Sequence, residues 1–464
     1  MGESKRKPKP RPRRCLRQLT FVVGVVLVVY CLLFVYNAPD ANYGTTSWSP
    51  LRKTSTKLTP ELLNNLSLGE DECKAAFPGL TKEIDDTVSK GPFTIKPSGD
   101  LGPLQGRIKD GQLYILHAQR RNDLSQDMLN ARTASLHQLY RAILTSPSPL
   151  PDTIFTLNTG DAPFGTALQY SRAADPLIGS KDPNARSFLI PHFSFWSWPL
   201  PFVGSISSSS AQINALESSY LPNASHPNAS WHNKISRAVW RGTAWYNSVH
   251  SPRLRQNLLQ VTKEKPWADV QVLNWTISSS DTKQKGAVNA IPISEFCRYK
   301  YIIHTEGVAY SGRFSFTQMC KSVVITPPIL WMMHTTHLVK PVYSGYLLGR
   351  DKRDKKGWEP AKRAMRGWAL GYKKEEANMV FVEGDWSDLE ETVEWLEKHP
   401  DVAEGIARRQ REVVVGGGYH SPAAEACYWR AAIRGWASVM RTEGEWEELG
   451  VPFEAFSLSL DMGQ

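Results

Sequence analysis

The feature that most constrains this chain is a repeated pattern between residues 150 and 330: a short apolar, β-branched run, then a polar turn, then helical text. Thr153–Leu157 runs into Asn158-Thr159-Gly160-Asp161, and Ala238–Trp240 runs into Arg241-Gly242-Thr243, with Ser251-Pro252 beyond as a helix start. Tyr299–Ile303 is followed by the loop Glu306–Ser311 and a helix carrying Arg313, Phe316 and Met319, and Ser322–Thr326 stops at Pro327-Pro328. Such units build a doubly wound α/β sheet, whose ligands bind outside the carboxyl ends of the strands. Asp161, Arg241, Glu306 and Arg313 all fall at those ends, and that placement argues for a site.

The formal charge of +10 over 464 residues invites a nucleic-acid reading, which its distribution removes. Residues 1–18 carry a net +7, and the remaining 446 carry only +3. A nucleic-acid-binding domain would carry its excess on the folded part. With 41% apolar and 22% charged residues the body reads as globular.

After the basic tail comes Leu19–Tyr36, an 18-residue run without a charge. It is long enough to cross a membrane as a helix, and the positive flank keeps residues 1–18 in the cytosol. The chain is thus expected to be a single-pass type II protein of the Golgi or endoplasmic reticulum membrane. The rival, a cleaved signal peptide, has no clear small-x-small site. Residues 37–72, rich in Ser, Thr, Asn and Pro, read as a luminal stem. Sequons at Asn65, Asn223, Asn228 and Asn274 agree with a luminal body. Cys15 and Cys31 belong to the tail and the apolar run. Cys73, Cys297, Cys320 and Cys427 remain, an even number in an oxidising space, and spacing leaves all three pairings open.

A guanidinium fork at a strand end beside a helix N-terminus suits a diphosphate, which is the functional reading of Arg241 and Arg313. The bland alternative is an ion pair with a surface carboxylate. Asp161 is a general base or a turn residue capping its own backbone. His334-Thr335-Thr336-His337 lacks the spacing of a zinc helix, so a structural or acceptor-side role is expected. No Asp-x-Asp, Walker loop, Gly-x-Ser-x-Gly or Gly-x-Gly-x-x-Gly occurs, so no metal site is expected. Gly416-Gly417-Gly418 reads as a break between helices.

Several segments together resemble glycosyltransferase family 90, which holds fungal capsule-associated and β-xylosyltransferase-like proteins and animal protein O-glucosyltransferases. They are Val239–Thr243 with Ser251–Arg253, Tyr299–Tyr301 leading to Gly307–Arg313, Gly384–Leu389 and Cys427–Arg430, with Phe193–Pro199 similar to the fungal branch. The resemblance implies a GT-B-like fold of two Rossmann-like domains with a cleft between them. Residues 73–235 would be the acceptor-side domain and 236–415 the UDP-sugar domain, with 416–464 packing back on the first. It implies inverting transfer of a sugar, xylose or glucose foremost, from a UDP-sugar to a hydroxyl of a glycan, glycolipid or glycoprotein, without metal or other cofactor. Asp161, in the pattern Asn158, Asp161, Pro163, would be the base. Arg241 and Arg313, with Gly242, Thr243, Arg253, Gly307, Val308, Ala309 and Ser311, would hold the UDP diphosphate. The resemblance also implies the disulfides Cys297–Cys320 and Cys73–Cys427.

Two departures stand out. His192 replaces the acidic residue usual before the fungal aromatic run, which bears on acceptor choice, although packing by the aromatics is the simpler expectation. Segment 350–374 holds ten Lys/Arg and lengthens a region shorter in the family. It reads as a solvated insertion, with attraction of an anionic acceptor as the functional alternative. Two other function classes compete: a catalytically silent glycan-binding member of the fold, and a glycoside hydrolase using Asp161 with Glu306.

Overall fold

The computed structural model describes residues 58–98, 102–178, 182, 185–276, 286–350, 360–369, 372–446 and 449–461. The expected tail, membrane anchor and stem up to residue 57, with Cys15 and Cys31, lie outside the described residues. Among the described residues no helix is long and apolar enough to cross a membrane.

Two six-stranded sheets organise the molecule. In the first, β1 (Leu104–Lys109) and β2 (Gln112–His117) form a hairpin. Its turn is Asp110-Gly111, with φ of 51° and 72°. Two-residue hairpins favour this left-handed pair, which matches strand twist and suits Asp-Gly. β3 (Thr153–Asn158) runs antiparallel to β1 and parallel to β4 (Ala167–Gln169), which pairs in parallel with β5 (Ser187–Leu189).

The second sheet is parallel throughout. Its strands are β6 (Ile235–Gly242), β7 (Ala268–Val272), β8 (Tyr299–Ile303), β9 (Val323–Thr326), β10 (Pro341–Tyr343) and β11 (Met379–Phe381). Their order is β10-β11-β9-β8-β6-β7. Ala238–Gly242, Lys300–Ile303 and Val323–Thr326 are buried along their whole length, as a sheet covered on both faces requires. The chain leaves β6 toward β7 on one side and continues to β8 on the other. The order therefore reverses between β6 and β8, the point at which an open parallel sheet forms its ligand crevice.

Alternation along the strands divides the apolar residues between two clusters. Trp240, Tyr301, Ile303 and Ile325 face one. Val239, Ile302 and Val324 face the other, which continues into the first sheet, so both sheets share a core. The helices used below are α1 (Glu70–Ala76), α2 (Gln126–Leu144), α3 (Leu254–Val261), α4 (Phe314–Thr317), α5 (Lys362–Gly367) and α6 (Pro422–Val439). α6 returns to the N-terminal half. Trp429 Nε1 donates to Gln138 Oε1 on α2 at 3.0 Å, Trp436 Nε1 donates to the Ile154 carbonyl at 2.8 Å, and Cys427 is disulfide-bonded to Cys73 of α1. Beyond it β12 (Val451–Pro452) adds antiparallel to β2 at the edge of the first sheet.

The α/β class holds, with a parallel sheet as expected. The first sheet differs from the Rossmann-like form: its hairpin and β12 make three of its pairings antiparallel. The Ser251-Pro252 helix start also lies slightly early. These residues form a turn, and α3 begins at Leu254.

Candidate active site

At the end of β6 the Arg241 guanidinium is turned inward. Nη2 meets the Asp269 carboxylate at 2.9 Å, Nη1 donates to the Asp269 and Trp240 carbonyls at 2.8 and 3.0 Å, and Nε donates to the Asn289 carbonyl at 3.3 Å. Against the upward push of burial, the Tyr299 hydroxyl and Arg241 hold the Asp269 carboxyl below its ordinary value. Arg241 thus ties β6 to β7, and all its nitrogens are engaged by protein acceptors. This differs from the open diphosphate fork expected of it. The reason is Asp269, which β7 places directly alongside.

Two further arginines lie at the crevice, and they differ from Arg241 in having no carboxylate beside them among the described residues. Arg313 begins α4 and donates from Nη1 to the Arg241 carbonyl. Arg255, on the buried face of α3, donates from Nε and Nη2 to the Glu306 carbonyl at 3.1 and 2.9 Å and from Nη1 to the Thr243 carbonyl at 2.7 Å. Burial, with the neighbouring Arg313 charge, pushes the Arg255 pKa down to about 9, and burial pushes Arg313 down to about 10. His304 is pushed down to about 3 by burial and by both arginines. Among the described residues neither Arg255 nor Arg313 has a carboxylate partner. Two adjacent, partly desolvated cations without a counter-ion make a site that an anion would stabilise.

The loop between β8 and α4 closes this crevice. The Gly307 amide donates to the Ala309 and Tyr310 carbonyls at 3.1 and 3.2 Å. A Cβ on Gly312 would stand 2.4 Å from His192 Cε1, so only glycine permits this approach. His192 is buried, accepts from the Ser194 amide at Nδ1 at 3.2 Å, and is pushed down to about 3 by burial. It is therefore a neutral wedge behind the loop. Of the aromatic run that follows, Phe195 is buried, and Trp196 is 39% exposed.

Asp161 sits on the turn after β3. Asn158 shapes that turn, accepting from the Gly160 amide at 3.0 Å and donating to the Ala162 carbonyl at 3.0 Å. The Asp161 side chain is open to solvent, yet it stands in a recess that strips part of its hydration. That desolvation, with the Asp127 charge added, raises its pKa. Its charge also raises the Tyr170 and Tyr310 hydroxyls, whose rings lie 5.8 Å apart. Tyr310 belongs to the Gly307–Arg313 loop and Tyr170 follows β4, so this ring contact joins the loop to the first sheet.

A cavity of about 260 Å³ opens beside them at the carboxyl ends of β9, β10 and β11. Leu254, Pro327, Leu330 and Tyr343 give it an apolar floor, and α5 supplies a wall with Arg363 and Ala364. α5 is the helix of the basic segment among the described residues, residues 351–359 and 370–371 lying outside them, and it is docked on the body through its apolar side. Ala364 and Trp368 are buried, and Arg366 pairs with the buried Asp175 through Nε at 2.9 Å and Nη2 at 2.5 Å.

Glu306 lines the cavity with its carboxylate taken up by main-chain amides. Its carboxylate accepts from the Leu330 and Trp331 amides at 3.0 and 2.8 Å, and burial pushes its pKa up to about 8 against their pull. A hydrolase pair of Glu306 with Asp161 has no support in this geometry. Of the other expected site residues, Thr243 and Ala309 are buried, Gly242 closes β6, Ser311 is half-buried, and Val308 is 40% exposed. Arg253 is exposed on the turn before α3. Sequence reasoning missed Arg255, Tyr170, Tyr310 and Asp127. Only Arg255 had a local signal, its place on the buried side of a helix that starts at Leu254.

Cys297 and Cys320 are disulfide-bonded, as are Cys73 and Cys427. Asn65, Asn223, Asn228 and Asn274 are all exposed. His334 packs against Phe195 and Tyr428, and His337 Nε2 lies 3.0 Å from the Gly79 carbonyl oxygen. Among the described residues the grouping of metal-ligand types that comes close enough to share an ion is Glu217, Cys297 and Cys320. Its cysteines are in the disulfide and Glu217 pairs with Lys234 at 2.8 Å.

Residues 104–346 match the family model described as Glycosyl transferase family 90. The match takes in Asp161 and the β6 and β8 loops, and ends before α5. The chain is 24% identical to Protein O-glucosyltransferase 1 of Rattus norvegicus over 293 residues, 60% of this chain and 61% of that protein. It is 23% identical to the Bos taurus protein of the same name over 351 residues, 71% and 76% of the two chains. To O-glucosyltransferase rumi of Drosophila melanogaster it is 23% identical over 247 residues, 51% and 56%. The chain thus spans about three fifths of the length of the rat relative it matches. With the family match covering more than half of the chain, this protein belongs to glycosyltransferase family 90.

Proposed function

We propose that this glycosyltransferase is an inverting, metal-independent enzyme with a GT-B-like arrangement, moving xylose or glucose from a UDP-sugar to an acceptor hydroxyl. The observation that carries the reading is the pair Arg255 and Arg313, held by main-chain carbonyls at the ends of β6 and β8 and without a carboxylate partner among the described residues, with Asp161 on the turn that follows β3. Asp161 takes the acceptor's proton as its oxygen attacks the anomeric carbon from the face opposite the diphosphate. The anomeric carbon–oxygen bond to the diphosphate breaks, and UDP leaves with that bond's electrons, its charge stabilised by Arg255 and Arg313. Arg241 acts one step back: its side chain locks β6 to β7, and its carbonyl receives Arg313. The cavity under α5 takes the nucleoside. The acceptor is a glycan, glycolipid or glycoprotein, and the relatives' names, protein O-glucosyltransferase, favour a glycoprotein. The exposed sequons and the two disulfides favour a secretory-pathway lumen, with residues 19–36 as a type II anchor.

The test is UDP release by the purified chain from UDP-xylose, UDP-glucose, UDP-galactose and UDP-glucuronate in EDTA. Release from one donor supports the reading. Absence of both UDP release and UDP binding contradicts it and leaves a silent member of the fold.

A further inference from the structure

A second cavity, of about 310 Å³, lies along the first three turns of α2 and has a different chemistry from the one under α5. Gln126, Asn130, Thr133 and His137 follow the spacing of one helix face, and Trp196 and Ser197 form the opposite wall. The Trp196 ring is stacked on His137, centroids 5.1 Å apart with an interplanar angle of 11°. Arg141, one helical turn further on, holds its guanidinium 5.0 Å from the same ring. Arg141 is fixed in turn by the buried Glu425. Two residues of one helix face thus hold the indole, and the residue stays 39% exposed. Burial lowers the His137 pKa, so the stack is uncharged at neutral pH, and Arg121 is the charged side chain of the lining.

An open aromatic face among amides and hydroxyls suits one ligand class. The C–H face of a sugar ring lies on the indole, and its hydroxyls exchange hydrogen bonds with Gln126, Asn130, Thr133 and Ser197. The volume falls within the range of small-ligand sites. A phosphate or an acidic peptide would look for more cations than the lining holds, and an apolar ligand would strand its amides. Asp127, next to Gln126, lies within electrostatic reach of Asp161.

The geometry points to this cavity as a carbohydrate subsite for the acceptor, in which a pyranose ring stacks on Trp196 while a hydroxyl is presented to Asp161. This inference rests on the transferase reading and narrows its acceptor to one that already carries sugar. The test uses the full chain with Trp196→Ala and Trp196→Phe, and xylobiose, mannobiose and cellobiose as probes. Two readouts are taken: UDP release with the active donor, and tryptophan fluorescence on titrating each disaccharide without donor. One disaccharide should accelerate UDP release and quench fluorescence. Trp196→Ala should raise its KM by about tenfold, leaving donor hydrolysis without acceptor unchanged, and Trp196→Phe should recover most of the loss. An unchanged KM in Trp196→Ala overturns the subsite. So does UDP release that responds to a folded acceptor peptide and to none of the sugars, and in that case the transferase reading stands. No UDP release under any condition overturns the transferase reading instead, whatever the fluorescence shows.

Discussion

Arg255 grips the Glu306 main chain with two nitrogens and the Thr243 main chain with its third, so a single guanidinium joins the ends of β6 and β8 across the point where the strand order reverses. It does this with its charge facing Arg313 and no carboxylate alongside among the described residues. The same residue is thus a structural strap and half of an anion site.

A lysine at this position reaches one carbonyl at best. Arg255→Lys is expected to strand at least one buried carbonyl, at about 1–3 kcal/mol, and to lower UDP affinity at the same time. Urea unfolding and calorimetric UDP titration check the two effects together. A variant with wild-type stability and wild-type UDP affinity would remove Arg255 from both roles.

Buried titratable groups give the fold a stability maximum near pH 6.5. His192 and His304 are held down to about 3 and His420 to about 4 by burial, and His334 lies well below its ordinary value. As pH falls below 6.5 the unfolded chain protonates these four and the folded chain does not, so stability is lost. Glu425 and Glu306, raised by burial to about 7 and about 8, work the other way from pH 4.5 upward. Between pH 4.5 and 6.5 these four histidines outnumber the two glutamates, with His137 and His337 also lowered by burial and acting the same way, and stability rises by about 1.4 kcal/mol per net proton per pH unit. Above 6.5 the glutamates make stability decline, until Lys234, pushed down to about 8 by burial, loses its proton in the fold and offsets them toward pH 8. Urea midpoints from pH 4.5 to 7.5 should trace this rise and fall, and a profile that climbs from pH 6.5 to 7.5 would contradict it.

The sequence was legible where chemistry is local. Asp161 and Gly307–Arg313 each sit in a short stretch whose strand, turn and polar residues are contiguous, and the structure puts each just beyond its strand, β3 and β8. It was not legible which arginines stand without a carboxylate. Arg241 is neutralised by Asp269, 28 positions away and brought alongside only by β6–β7 pairing. The Tyr170–Tyr310 contact and the reach of Asp127 to Asp161 are equally non-local. The hairpin β1–β2 did carry a local sign, Asp110-Gly111 between apolar residues, and it makes the first sheet mixed. In the basic segment charge masked Ala364 and Trp368, whose burial fixes α5 over the cavity.

The acid limb of activity should follow the surroundings of Asp161. A base must be ionised to act, and its raised pKa places that limb above the ordinary carboxylate range. Asp127→Asn removes the neighbouring like charge, so kcat/KM should hold to lower pH with its plateau unchanged. A limb that stays in place would mean that another group sets it.

The account turns on Asp161 as the base, and Asp161→Asn tests it most directly. The amide keeps the shape of the turn and cannot take the acceptor's proton. UDP affinity measured by calorimetry should match the wild type, and transfer measured as acceptor-dependent UDP release should fall by roughly 10²–10⁴-fold. Transfer at the wild-type rate by Asp161→Asn would contradict the account.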